Sequence, residues 1–132
     1  MAEKKVKLLM AKVGMDGHDR GMIMITNWLR DVGVEVVYLG SYQTIDKVVK
    51  SAIEEDVDVI GLSFLGGGHL FHARKTLEKM KENNVRAPLI TGGIIPKEDI
   101  PKLKEMGVAG VYPAGSSMET IVEGLKEISK AK

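Results

Sequence analysis

The run Leu8-Leu9-Met10-Ala11-Lys12-Val13 passes into Gly14-Met15-Asp16-Gly17-His18-Asp19-Arg20-Gly21 and then into a helical pattern from Arg20 to Val32. An apolar strand, a glycine-bracketed polar loop and an amphipathic helix make one β-α unit, and the rest of the chain repeats it. In an open α/β sheet the loops leaving the carboxyl ends of the strands face the binding crevice. The loop after Val13 is therefore the first place to expect a ligand. His18 lies two residues after Asp16, so in a bent loop the carboxylate can accept a hydrogen bond from the imidazole Nδ1. That bond would fix the tautomer and leave Nε2 free to ligate a metal. Taken alone, Asp16 or Asp19 is more often a helix N-cap, and His18 more often a loop histidine with no task.

Apolar runs alternate with amphipathic stretches five times, which predicts strands at Val6 to Val13, Glu35 to Leu39, Val57 to Phe64, Pro88 to Thr91 and Gly110 to Tyr112. Helices are predicted at Arg20 to Val32, Thr44 to Glu55, Leu70 to Asn83, Pro96 to Met106 and Ser117 to Lys130. Val48, Val49, Ala52 and Ile53 form one apolar stripe on the second helix, and Thr44 and Ser117 are suited to N-caps. Met22, Met24 and Trp28 recur at helical spacing and read as core. The expected fold is α/β, a flavodoxin-like (Rossmann-like), doubly wound five-stranded parallel sheet in the order 2-1-3-4-5, with residues 1–132 as a single domain.

That strand order places the crevice outside strands one and three. The loop after the third strand reads Ser63-Phe64-Leu65-Gly66-Gly67-Gly68-His69, and the fourth strand leads into Thr91-Gly92-Gly93-Ile94. Both are bare enough for a bulky ligand to lie close to the sheet. The triple glycine lacks the lysine and hydroxyl residue of a phosphate-binding P-loop. It reads as a surface lying against a ligand.

Composition narrows the functions. Nineteen lysines and arginines nearly balance eighteen aspartates and glutamates, so no gross field selects nucleic acid or membrane. The absence of cysteine excludes disulfides, thiolate metal sites and cysteine nucleophiles. With no apolar run of membrane-spanning length, the expectation is a soluble, cytoplasmic protein. Gly14, Gly17 and Gly21 have the wrong spacing for a dinucleotide fingerprint. A phosphoacceptor receiver would want an aspartate where Ser63 stands and a lysine where Pro113 stands.

Three motifs stand in register. Asp16-x-His18-x-x-Gly21 is followed after 41 residues by Ser63-x-Leu65, and after 26 more by Gly92-Gly93. This pattern resembles the cobalamin-binding domain of the adenosylcobalamin-dependent acyl-CoA mutases, the methylmalonyl-CoA mutase family, over nearly the whole chain. The resemblance implies that His18 is the lower axial ligand to cobalt, replacing the cofactor's own dimethylbenzimidazole, with Asp16 behind it. Gly17, Asp19, Arg20 and Gly21 would complete the cofactor loop, and Gly67 would lie against the cofactor. The displaced nucleotide tail would enter the domain, where Ser63 would hydrogen-bond its base, Leu65 pack on it, and Gly92 and Gly93 leave room. Gly115 and Ser116 stand where relatives often carry Gly-Pro-Gly-Thr, and Ser116 keeps the hydroxyl. Arg20 would meet a cofactor amide or a partner chain, with solvation as the alternative. His69 is expected near the cofactor edge or a partner interface, and His72 in solvent.

In that family the acyl-CoA occupies a TIM-type barrel of about 250 residues, which this chain cannot contain. The resemblance thus implies the small subunit of a heteromeric isomerase, inactive alone, with a separate large subunit. The rival reading is a corrinoid carrier or cobalamin-responsive module serving a methyltransferase or regulator.

Overall fold

The computed structural model describes residues 5–14, 20–64 and 68–132. Asp16, Gly17, His18, Asp19, Leu65 and Gly67 lie outside the described residues. The five strands are β1 (Lys7–Val13), β2 (Glu35–Gln43), β3 (Val59–Phe64), β4 (Leu89–Gly93) and β5 (Gly110–Pro113). The helices are α1 (Arg20–Asp31), α2 (Ile45–Glu54), α3 (His69–Glu82), α4 (Ile100–Met106) and α5 (Met118–Ser129), with a short 3₁₀ turn at Lys97–Asp99. All strand pairs are parallel and the order is β2-β1-β3-β4-β5, as expected of a flavodoxin-like fold.

β1 and β3 are buried on both faces, which is why they read as continuous apolar runs and not as alternating ones. Leu9, Ala11, Ile60, Leu62 and Leu89 pack with α2, α3 and α4 on one face. Leu8, Met10, Val59 and Ile90 pack on the other face with Met22 and Leu29 of α1 and Ile121 and Leu125 of α5. Thr44 and Ser117 cap their helices as expected, each accepting a 3.1 Å bond from the backbone N–H three residues on. The start of β1 is tied to the centre of the sheet by the Lys7 N–H, which donates to Asp58 Oδ2 at 2.8 Å.

Several expectations need correction, the first being that Ile53 shares the packed stripe of α2, since it is 52 % exposed while Val48, Val49 and Ala52 are buried. β2 runs on past Leu39 to Gln43, because its pairing with β1 shifts register twice and positive φ at Gly40 and Tyr42 carries the backbone through the irregularity. β3 starts at Val59, two residues later than expected, since Asp58 is spent on the Lys7 bond in a bend. The predicted helix Pro96 to Met106 divides into the 3₁₀ turn and α4, because Pro101 in the first turn of α4 has no N–H with which to continue a helix from Lys97. On α1, Met22 is core at 2 % exposure, but Met24 (63 %) and Trp28 (38 %) face outward. Helical spacing locates a stripe, and here the stripe that packs is Met22, Ile25 and Leu29.

Leu9→Ala should therefore destabilise the fold by about 2–5 kcal/mol, whereas Met24→Ala should stay within about 0.5 kcal/mol of the parent. Urea unfolding of the two variants checks the contrast.

Candidate functional site

On the face covered by α1 and α5, the strands present a band of small residues. Gly61 and Ser63 of β3 and Gly92 of β4 lie side by side there, with Gly110 and Tyr112 on β5. A strand-interior glycine leaves space that no side chain fills. The outcome is a slot between α1, α5 and the sheet that opens at the carboxyl ends of the strands. Its outer chamber is about 340 Å³ and takes Lys12, Gly21, Ser63, Gly93, Gly115 and Ser116 into its lining. A deeper chamber of about 50 Å³ is walled by apolar side chains including Leu8, Met10, Leu29 and Ile90. Ser63, Gly93, Ile25, Tyr112 and Ile121 line both.

The geometry thus brings Gly21, Ser63, Gly92, Gly93, Gly115 and Ser116 together around one cavity, from four separate stretches of chain. Arg20 is exposed as the first residue of α1. Ser116 Oγ donates to the Pro113 carbonyl at 2.6 Å, so its proton is spent on the turn and its lone pairs remain to accept. Gly93 has a reason to be glycine apart from any ligand. Its φ is +96°, and a Cβ there would lie 2.0 Å from the Phe64 carbonyl oxygen, the same atom that accepts a 2.7 Å bond from the Ile94 N–H.

Several residues that line or border the slot went unread in the sequence. Lys12 is 2 % exposed at the mouth of the slot, and its Nζ lies 3.4 Å from the Ser63 carbonyl oxygen. A lysine inside an otherwise apolar strand was the signal, since lysine is almost never fully buried without partners. Tyr112, Gly61, Gly110 and Gly124 were also passed over, although Gly61 interrupts a strand and Gly124 a helix.

Of the two histidines of α3, only His72 departs from expectation. His69 is buried, and its Nε2 meets Asp99 Oδ2 at 2.7 Å, so the turn after β3 is tied to the turn after β4. Its ring stands edge-on to Phe64, with centroids 6.3 Å apart. His72 is not in solvent. It packs edge-on against Phe71, and its ring lies against Gly14 and Gly68, the positive-φ glycines of the loops after β1 and β3. The His69 hydrogen bond holds the Asp99 carboxyl below the ordinary carboxylate range, with help from Lys102 at 3.3 Å and against the cost of desolvation. Burial pushes the Tyr112 phenol above its ordinary value, so it stays neutral.

The cavity is apolar at depth and carries the Ser63 and Ser116 residues nearer its opening. Among the described residues no cluster of three or more histidine, aspartate or glutamate side chains could hold a metal ion by itself. No helix of the described residues is long and apolar enough to cross a membrane.

Fold and slot define a binding domain that holds its ligand at the switch point of a doubly wound sheet. The sequence model of the B12 binding domain matches residues 6–123, and the chain belongs to that family. It is 35% identical to the 2-hydroxyisobutanoyl-CoA mutase small subunit of Aquincola tertiaricarbonis, over 100% of this chain and 98% of that one. It is 41% identical to the pivalyl-CoA mutase small subunit of Xanthobacter autotrophicus, over 91% of this chain and 81% of that one. A cobalamin-binding protein from Desulfitobacterium hafniense shares the fold, with a TM-score of 0.78 and 23% identity over 92% of this chain and 60% of that one.

Two outcomes follow from the geometry. Gly93→Ala should destabilise the chain by more than about 1 kcal/mol, because strain and a backbone collision coincide there, and thermal melting reads the loss. Because the folded-state value of Asp99 is lowered, its stabilisation is complete above the unfolded carboxylate range near about 4 and is lost as pH falls through the folded value. Asp99→Asn should accordingly flatten the acid limb of the stability profile, measured as urea midpoints against pH. An unchanged acid limb would show that the His69 contact is energetically silent.

Proposed function

We propose that this chain is the cobalamin-binding small subunit of an adenosylcobalamin-dependent acyl-CoA mutase, residues 1–132 forming one cobalamin-binding domain that works in the cytoplasm beside a separate large subunit. The observation that carries the reading is the slot. Ser63, Gly92-Gly93 and Gly115-Ser116, three separated motifs, surround one cavity at the carboxyl ends of the strands, which supports its use for the nucleotide tail. The full-length similarity to two small subunits of acyl-CoA mutases supports the same reading.

On this reading His18 would ligate the cobalt and Asp16 would orient its imidazole, while Gly17, Asp19, Arg20 and Gly21 would shape the cofactor loop. Ser63 offers a hydroxyl to the base of the tail, and Leu65 packs against it. Gly67 lets the third loop approach the ring, and Gly92 keeps the inner wall flat. Ser116 accepts from the tail through its free lone pairs. Lys12 is held at the mouth beside the Ser63 carbonyl, at the carboxyl ends of β1 and β3. When bound, the cofactor supplies the radical chemistry that rearranges an acyl-CoA carbon skeleton. The chain's own share is to hold that group base-off and oriented, and the large subunit, a TIM-type barrel, holds the acyl-CoA and excludes water.

His18→Ala should fold normally yet lose the histidine-ligated form of cobalamin. Electron paramagnetic resonance of the Co(II) state, with nitrogen-15 in the histidine rings, reads this directly. An unchanged axial nitrogen coupling in the variant would overturn the assignment. Isomerase activity should appear on mixing with the large subunit, and methyl transfer should not.

A further inference from the structure

The wall of the slot formed by Tyr112 is held in place by two glycines that no motif includes. Gly124 sits in the interior of α5, where glycine is the poorest helix former other than proline and no turn calls for it. A Cβ at that position would lie 1.9 Å from the Tyr112 hydroxyl oxygen and 2.8 Å from Cζ. Gly110 stands two residues before Tyr112 on β5, on the same face of the sheet. A Cβ there would lie 2.9 Å from Cε2 of the same ring and 3.0 Å from its hydroxyl, besides meeting Ile128. A strand and a helix have thus each given up a side chain at the place where the phenol lies back. Tyr112 is also a lining residue of both chambers of the slot. A ring pushed off its seat has the slot as its open space.

We propose that Gly110 and Gly124 form a seat that holds the Tyr112 ring out of the slot, setting its width to admit a flat aromatic base. This rests on the reading of the slot as the place of the cofactor's nucleotide tail. Tyr112 is a positioning and specificity-determining residue here. Its neutral phenol presents an apolar wall to the base, and the two glycines act through it. The seat therefore governs tailed corrinoids and is indifferent to a corrinoid that lacks the tail.

The test uses the full chain with two probes, cobalamin and tail-less cobinamide, titrated by calorimetry against the parent, Gly124→Ala, Tyr112→Leu and the Gly124→Ala/Tyr112→Leu pair. Gly124→Ala should weaken cobalamin by roughly tenfold or more while leaving cobinamide within about twofold, and the double variant should recover most of the loss. The Tyr112 ring resonances of the ligand-free chain should shift in Gly124→Ala, which reads the seat without any cofactor. Equal losses for both probes, or no loss for either, would overturn the seat while leaving the cobalamin reading intact. Failure of the parent to bind either probe would overturn the cobalamin reading and the role of the seat together. If Gly124→Ala does not fold, the double variant decides. Restored folding and cobalamin binding support the seat, and their continued failure overturns it.

Discussion

Parallel pairing of β1 with β3, Leu8 to Ala11 against Val59 to Leu62, is the constraint on which the rest of the molecule depends. With β2 on one side of β1 and β4 on the far side of β3, right-handed crossovers send α1 to one face and α2, α3 and α4 to the other. The helices that follow β1 and β3 then lie on opposite faces of the sheet. That divergence leaves the crevice, and no side-chain contact has to create it.

Below the crevice the sheet is asymmetric. The face under α2, α3 and α4 is filled by leucine, isoleucine, valine and phenylalanine. The face under α1 and α5 carries Gly61, Ser63, Gly92 and Gly110 at its centre and gives up part of its packing to the slot. Apolar atoms lining an unfilled space forfeit dispersion contacts that a close-packed core would supply. A bound aromatic base would restore them, which gives the chain a physical reason to bind as well as a place to do so. On the opposite face, the pairing of His69 with Asp99 and the packing of His72 against Gly14 and Gly68 brace the loops around that opening.

Much of this was legible in one dimension, because β-α alternation reports through local periodicity. The buried runs of β1 and β3, the caps at Thr44 and Ser117 and the strand order all followed from pattern and spacing. Where local rules competed, the pattern misled. Gly40 and Tyr42 looked like the end of β2, although positive φ there serves a bulge that lets pairing continue. Pro96 looked like the first residue of a helix that Pro101 then prevents from running through. Trp28 and Met24 share helical spacing with Met22, but only the direction of the sheet tells which stripe of α1 is inside.

Register among Asp16-x-His18-x-x-Gly21, Ser63-x-Leu65 and Gly92-Gly93 is a property of chain order, so the family could be read without coordinates. Contacts between residues far apart in the chain could not. The pairing of His69 with Asp99, the burial of Lys12 beside Ser63, and the seat of Tyr112 between Gly110 and Gly124 arise only when the sheet is assembled and the helices dock on it. Periodicity records which face of an element is apolar, whereas the width of a slot depends on atoms from four elements meeting at fractions of an ångström.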